Sequence, residues 1–136
     1  MIVLDASAMV ELLVGSDTDD DLLQVVFEDI HVPHLIDVEV LSVLRRLVRT
    51  GQLSAGLAQQ AIEDFYAITM TRHTTIPFAG RIWALRGHLT AYDAAYVALA
   101  DTLAAPLYTC DAKLVGAAPG VEARVFPLSG RRKVGP

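Results

Sequence analysis

The first fifteen residues read Met1-Ile2-Val3-Leu4-Asp5-Ala6-Ser7-Ala8-Met9-Val10-Glu11-Leu12-Leu13-Val14-Gly15. Ile2-Val3-Leu4 is a short, largely β-branched apolar run that ends at Asp5, and the residues after it are apolar at helical spacing until Gly15. A strand without polar alternation is one buried on both faces, so the segment predicts a buried strand feeding directly into a helix. The same unit recurs downstream. Ile30-His31-Val32-Pro33 reads as a second strand, followed by a strong helix from about Leu35 to Thr50. Gly51 closes that helix, and after the short turn Gly51-Gln52-Leu53 an antiparallel neighbour is expected from Ser54 to about Met70. Thr74-Thr75-Ile76 reads as a strand, with Pro77 opening the helix that carries Phe78 and Trp83. Thr90-Ala91-Tyr92-Asp93 begins a helix to about Ala104, apolar nearly all round and therefore central and buried. Pro106 to Cys110 is a strand, Asp111 to Gly116 a short helix, and Ala123 to Pro127 a last strand.

Strands that alternate with helices in this way define the α/β class, with a central, mostly parallel sheet of four or five strands flanked by helices. The 136 residues contain no repeat, low-complexity tract or linker, and are expected to form one domain over residues 1–136. A basic tail from about residue 129, including Arg131-Arg132-Lys133, is expected to fray and, with Arg45, Arg46 and Arg49, to give a local positive rim. The 53% hydrophobic content supplies a core and the 20% charged fraction excludes disorder. Cys110 is the single cysteine, which excludes an internal disulfide framework and a Cys-rich zinc module. No stretch is long and apolar enough to span a bilayer, and the start lacks a basic n-region while Asp5 and Glu11 interrupt its apolar run. A soluble, cytoplasmic protein without a membrane partner is the expectation.

Eleven Lys and Arg stand against sixteen Asp and Glu, a formal net charge of −5. Bulk positive charge is therefore not the means of gripping a nucleic acid, and what matters is where the acids sit. Open parallel sheets place their sites beyond the carboxyl ends of the strands. Asp5 follows the first strand and Asp111 follows the strand ending at Cys110, while Glu39 and Asp93 lie in the first turns of two helices that start at that same edge. Four carboxylates in one small volume raise one another's pKa and need a cation. With oxygen ligands and no paired His or Cys spacing, a hard divalent ion fits, Mg²⁺ with Mn²⁺ as its substitute. Asp5, Asp93 and Asp111 are the candidate metal ligands, and Glu39 completes the set or orients a water. Such an ion polarises a phosphoryl oxygen, activates water and stabilises a leaving oxyanion, which are the three needs of phosphodiester hydrolysis. Each acid also fits a plainer role at a helix N-terminus: Asp5 and Asp111 as caps, Asp93 in a capping box with Thr90, and Glu39 favoured by the helix dipole.

On a helical projection Glu39 stands at the seam between an apolar side, with Val40, Val43, Leu44 and Leu47, and a basic side with Arg45, Arg46 and Arg49. Those three arginines are candidate RNA-phosphate contacts, or else a solvated helix face. Asp17, Asp19, Asp20 and Asp21 read as a solvated helix entry. Tyr92, Tyr96 and Trp83, at helical spacing among small apolar residues, read more readily as core than as a platform for bases. Lys113, two residues past Asp111, reads as an exposed helix residue within reach of a substrate phosphate.

Four segments carry a resemblance. Met1-Ile-Val-Leu-Asp5-Ala-Ser7-Ala, Glu39-Val-Leu-Ser-Val-Leu-Arg-Arg46-Leu, Leu89-Thr-Ala-Tyr-Asp93-Ala-Ala-Tyr-Val-Ala-Leu-Ala100 and Pro106-Leu-Tyr-Thr109-Cys-Asp111-Ala-Lys-Leu114 resemble the successive motifs of PIN-domain proteins, specifically the VapC-type toxins of bacterial toxin-antitoxin pairs. The resemblance implies a three-layer PIN-like fold and a Mg²⁺- or Mn²⁺-dependent endoribonuclease that acts on RNA, is neutralised by a cognate antitoxin and forms a homodimer. It matches Asp5, Glu39, Asp93 and Asp111 to the family's acidic quartet, and Ser7 and Thr109 to the hydroxyls that brace it. The alternative is a catalytically silent PIN-like scaffold that binds RNA or an antitoxin without cutting.

Overall fold

A computed structural model describes residues 1–133. Five strands form one parallel sheet in the order β3-β2-β1-β4-β5. The strands are β1 (Ile2–Leu4), β2 (Ile30–Pro33), β3 (Thr71–His73), β4 (Leu107–Thr109) and β5 (Ala123–Val125). Six α-helices flank it in a three-layer arrangement: α1 (Ala6–Val14), α2 (Asp20–Leu23), α3 (Ile36–Arg49), α4 (Ala55–Ala67), α5 (Ala79–Ala84) and α6 (Ala91–Leu103). The three central strands are the apolar runs of the sequence, with Val3, Leu4, Val32 and Leu107 fully enclosed. Helix α6 packs on β1, β2 and β4 with α5 against it, while α1 packs on α3 and α4.

Asp5 caps α1 by accepting from Ala8 N at 2.9 Å, which closes one of the open donors of the first turn. Ser54 and Thr90 cap α4 and α6 in the same way. Helix α6 stops where Ala104 enters the left-handed region, the one non-glycine residue to do so among the described residues.

Three expectations are corrected. The third strand is Thr71–His73, not Thr74–Ile76, because residues 76–78 around Pro77 wind into a 3₁₀ turn ahead of the short α5. The segment after Asp111 is a single 3₁₀ turn, Ala112–Leu114. The tail is attached over its first part: Gly15 and Arg131 form an antiparallel bridge, Ser16 N donates to Gly130 O and Arg132 N donates to Val14 O. Its anchor is Glu11, wholly buried inside α1, which accepts from Ser129 N at 3.1 Å, Ser129 Oγ at 2.6 Å and Arg131 Nη1 at 3.3 Å. A buried carboxylate needs such partners, and the tail carries them. Val134, Gly135 and Pro136 lie outside the described residues. No helix among the described residues is long and apolar enough to cross a membrane.

Candidate active site

β1 and β4 are neighbours although most of the chain separates them, because the connection from β1 leads to β2 on one side and β4 returns on the other. A reversal of this kind opens a crevice beyond the strand ends. The register pairs Val3 with Leu107 and Leu4 with Tyr108, and Asp5 N donates to Tyr108 O at 3.0 Å. Continuing one step further sets Asp5 beside Thr109. The Thr109 hydroxyl donates to Asp5 Oδ2 at 2.5 Å and the Ser7 hydroxyl donates to Asp5 Oδ1 at 2.6 Å. Both hydroxyl oxygens accept in turn: Cys110 N donates to Ser7 Oγ and Asp111 N donates to Thr109 Oγ1, each at 2.9 Å. The two hydroxyls therefore fix the Asp5 carboxylate and at the same time tie the start of the Asp111 turn to it.

Asp5, Glu39, Asp93 and Asp111 line a single cleft of about 370 Å³. The structure thus brings all four sequence candidates to one place. Burial pushes the Asp5 carboxyl above its ordinary value against the lowering effect of its hydrogen bonds, and the Asp93 charge adds to the rise. Glu39 is raised in the same way, by burial first, then by Asp5 and Asp93, although the Tyr96 hydroxyl donates to its Oε1 at 2.8 Å. Burial first, and then the Glu39 charge beside it, pushes the Tyr96 phenol well upward, so this residue one turn beyond Asp93 on α6 stays a proton donor.

Cap and cleft roles coincide. Asp5 caps α1 while lining the cleft, and Asp111 accepts from Lys113 N at 3.1 Å at the start of its turn. Only half of the Thr90 capping box forms: Thr90 Oγ1 accepts from Asp93 N, and the Asp93 carboxylate turns to Lys113. The Lys113 ammonium stands 3.3 Å from both Asp93 Oδ2 and Asp111 Oδ2.

The donors suit a hard divalent cation. All are carboxylate oxygens, two of the four acids are raised by burial and mutual repulsion, and a lysine cation already stands between the other two. Among the described residues no three of them are spaced as a ready-made cage. An ion such as Mg²⁺, which keeps several waters and binds through one or two carboxylates, does not require one.

The arginines divide. Arg46 lines the acid cleft and the neighbouring one that contains His34, Ser42 and Tyr92. Arg45 and Arg49 line a separate apolar groove between α3 and α4. Tyr96 is core, but Tyr92 and Trp83 are more than 60% exposed, contrary to the core reading. The Trp83 ring is covered instead by the Arg86 guanidinium at 4.6 Å. Three placements escaped the sequence: Lys113 as the partner of two acids, Tyr96 as the partner of Glu39, and Arg131 as part of the wall of the acid cleft itself. The i, i+3 relation of Asp93 and Tyr96 was a usable signal for the second, whereas nothing local marks Arg131.

A parallel five-stranded sheet with carboxylates converging at its central strand ends defines the class, and the comparisons agree. The chain belongs to the PIN domain family, whose model matches residues 2–118. Ribonuclease VapC9 of Mycobacterium tuberculosis is 40% identical over 114 residues, 84% of this chain and 88% of the relative. The same fold occurs in PAE2754 from Pyrobaculum aerophilum, with a TM-score of 0.68 at 22% identity over 90% of this chain and 82% of that one. It occurs again in VapBC2 from Rickettsia felis, solved bound to a DNA fragment from its promoter, with a TM-score of 0.66 at 13% identity over 91% and 98%.

Proposed function

We propose that this chain is an endoribonuclease toxin of the VapC type that hydrolyses RNA phosphodiester bonds with Mg²⁺, or Mn²⁺ in its place, and is held in check by a cognate antitoxin. The observation that carries the reading is the convergence of Asp5, Glu39, Asp93 and Asp111 on one cleft at the β1/β4 edge. It is supported by membership of the PIN domain family and by a relative, 40% identical, named as a ribonuclease. The name of the Rickettsia felis structure, a VapBC pair, supports an antitoxin partner. A homodimer belongs to the same reading.

Asp5, Asp93 and Asp111 would hold the ion, directly or through its waters. When bound, it would polarise the scissile phosphoryl oxygen, lower the pKa of the attacking water and offset charge on the leaving oxygen. The chain's own contribution is placement. Ser7 and Thr109 hold Asp5 in one orientation, and Tyr96 holds Glu39. Glu39, whose carboxyl is pushed upward by burial, is the group placed to take a proton from water. Lys113 offsets the charges of Asp93 and Asp111 and would give way to a divalent ion held there. Arg46 supplies a guanidinium at the wall of the acid cleft, where a phosphate needs one.

Incubation of the purified chain with labelled RNA and Mn²⁺ tests this. Cleavage that is lost with EDTA and lost in Asp5→Asn is expected. A wild-type protein that binds RNA but leaves it intact across a range of Mg²⁺ and Mn²⁺ would sink the reading in favour of the silent scaffold.

A further inference from the structure

Arg131 lies far from the four acids in sequence and yet lines their cleft. It reaches there because the tail pairs with the end of α1. The bridge between Gly15 and Arg131 gives the segment strand-like alternation, so neighbouring side chains separate. Arg132 Nε donates to Gly15 O, whereas Arg131 turns to Glu11 and the cleft.

The way Arg131 is held is unusual for a residue whose task is only to neutralise Glu11. Glu11 already accepts from Ser129 N, Ser129 Oγ and Thr18 Oγ1, and Arg131 adds one bond, from Nη1 at 3.3 Å. A guanidinium has five N–H donors in a planar fork. The Arg131 Nε, although buried, has no partner. A partly enclosed guanidinium at the wall of a cleft, with one bond to Glu11 in place, is shaped for an anion, and a phosphate takes guanidinium donors side by side.

The surrounding relief gives that anion a path. The acid cleft shares Glu39, Val43 and Arg46 with a cleft of about 540 Å³ on one side. On the other it shares Leu128 and Arg131 with one of about 420 Å³, which carries Lys133. The acid cleft, with Arg46 and Arg131 both in its wall, is thus continuous with two further clefts, one through Arg46 and one through Arg131.

We propose that Arg131, braced by Glu11, is a second RNA-phosphate contact, and that the RNA strand crosses the four acids between Arg46 and Arg131 and continues towards Lys133. This rests on the endoribonuclease reading, and it assigns a substrate-binding role to the tail.

The test is the cleavage of a single-stranded RNA oligonucleotide in Mn²⁺ at several KCl concentrations, by wild type, Arg131→Gln, Arg131→Lys and the double variant Glu11→Gln/Arg131→Gln. The double variant removes the carboxylate that the single one would leave short of a partner. Loss of a charge-assisted phosphate contact should raise KM roughly tenfold with a smaller change in kcat. The slope of log(kcat/KM) against log[KCl] should become shallower by about 0.7, with Arg131→Lys recovering it. A purely structural tail would leave that slope alone. Wild-type KM and slope in a double variant that melts like wild type would overturn the proposal and leave the nuclease reading standing. A wild type that cuts nothing would overturn the nuclease reading itself. Should the glutamine variants fold poorly, the guanidinium resonances of Arg131 in Asp5→Asn, identified by their loss in Arg131→Lys, report binding directly. The Nη signals should shift when the RNA is added, and static Nη signals at saturating RNA would refute the contact.

Discussion

Thr109 on β4 donates its hydroxyl proton to Asp5 Oδ2 at the end of β1, across 104 residues of sequence, and accepts from Asp111 N with the same oxygen. The two carboxylates are thereby placed by one fully buried hydroxyl. Thr109→Val keeps the shape of the side chain but leaves Asp5 Oδ2 and Asp111 N without partners. Mn²⁺ affinity, read by calorimetry, should fall 10- to 100-fold, the range seen when the groups that orient metal ligands are removed. Stability should fall by about 1–3 kcal/mol in denaturant titration, and Thr109→Ser should restore most of both.

Asp5 is costly to ionise in the absence of a cation. Its folded pKa is raised by burial above its unfolded value, so the folded state holds the proton more tightly. The stability associated with that proton is fully present below about pH 4 and is lost as pH rises through the raised value. In EDTA, Asp5→Asn should therefore melt higher than wild type at pH 7, by on the order of a few degrees, with the gap closing towards pH 4. It should at the same time cut no RNA. A constant gap between the two proteins from pH 4 to pH 7 would contradict the assignment of Asp5 as a carboxyl pushed upward by burial.

Strand ends and helix starts were legible because they are local: Ile2-Val3-Leu4 before Asp5, and Thr90 three residues before Asp93, each carry their signal within one turn. The rule for parallel sheets then brought four distant acids together without any contact being known. The tail was not legible, since its docking depends on Glu11 being buried, and Glu11 sits in a helix whose other residues are mostly apolar. A helix projection marks such a residue as a misfit, but gives no direction to a partner more than a hundred residues away. The third strand was misplaced by a few residues because Thr71-Arg72-His73 is polar at an edge, with no apolar run to announce it.

Lys113 occupies part of the charge role that a divalent ion would take, standing between Asp93 and Asp111. Its ammonium is mostly exposed, so the pairing is weak and easily displaced. Lys113→Ala should tighten Mn²⁺ binding by roughly two- to fivefold at low salt, the span of a surface ion pair, with the effect shrinking in 0.5 M KCl. Cleavage at saturating metal should persist. Weaker metal binding in this variant would show that the lysine organises the acids rather than competing for them.

The division of the α3 arginines makes a sharper comparison than the helix projection allowed. Arg46 lines the acid cleft, while Arg45 and Arg49 line the groove between α3 and α4. Arg46→Gln should raise KM for RNA roughly tenfold. Arg45→Gln and Arg49→Gln, measured side by side with it, should change KM less than twofold.

Glu11 links the first helix to the tail, and its burial makes the link testable from either end. Its carboxylate has no exposed surface, and Ser129 and Arg131 supply most of its partners. Ending the chain at Leu128 would leave the charge enclosed with only Thr18 beside it, at a cost of about 3–5 kcal/mol in urea unfolding. Glu11→Leu in the shortened chain removes the stranded charge and should recover most of that loss, because an apolar side chain of similar volume suits an enclosed position in α1. Gly15 belongs to the same clasp, since a Cβ there would stand 2.2 Å from Glu11 Oε2 and 2.6 Å from the Glu11 carbonyl oxygen. Its backbone is extended, with φ of −65°, so the need is for space and not for conformation. Gly15→Ala should accordingly destabilise the full chain by about 1–3 kcal/mol. In the shortened Glu11→Leu chain the penalty should shrink without vanishing, because the backbone carbonyl and the Thr18 hydroxyl remain in the way. An equal penalty in both chains would place the clash on those two shared groups and remove the Glu11 carboxylate from it.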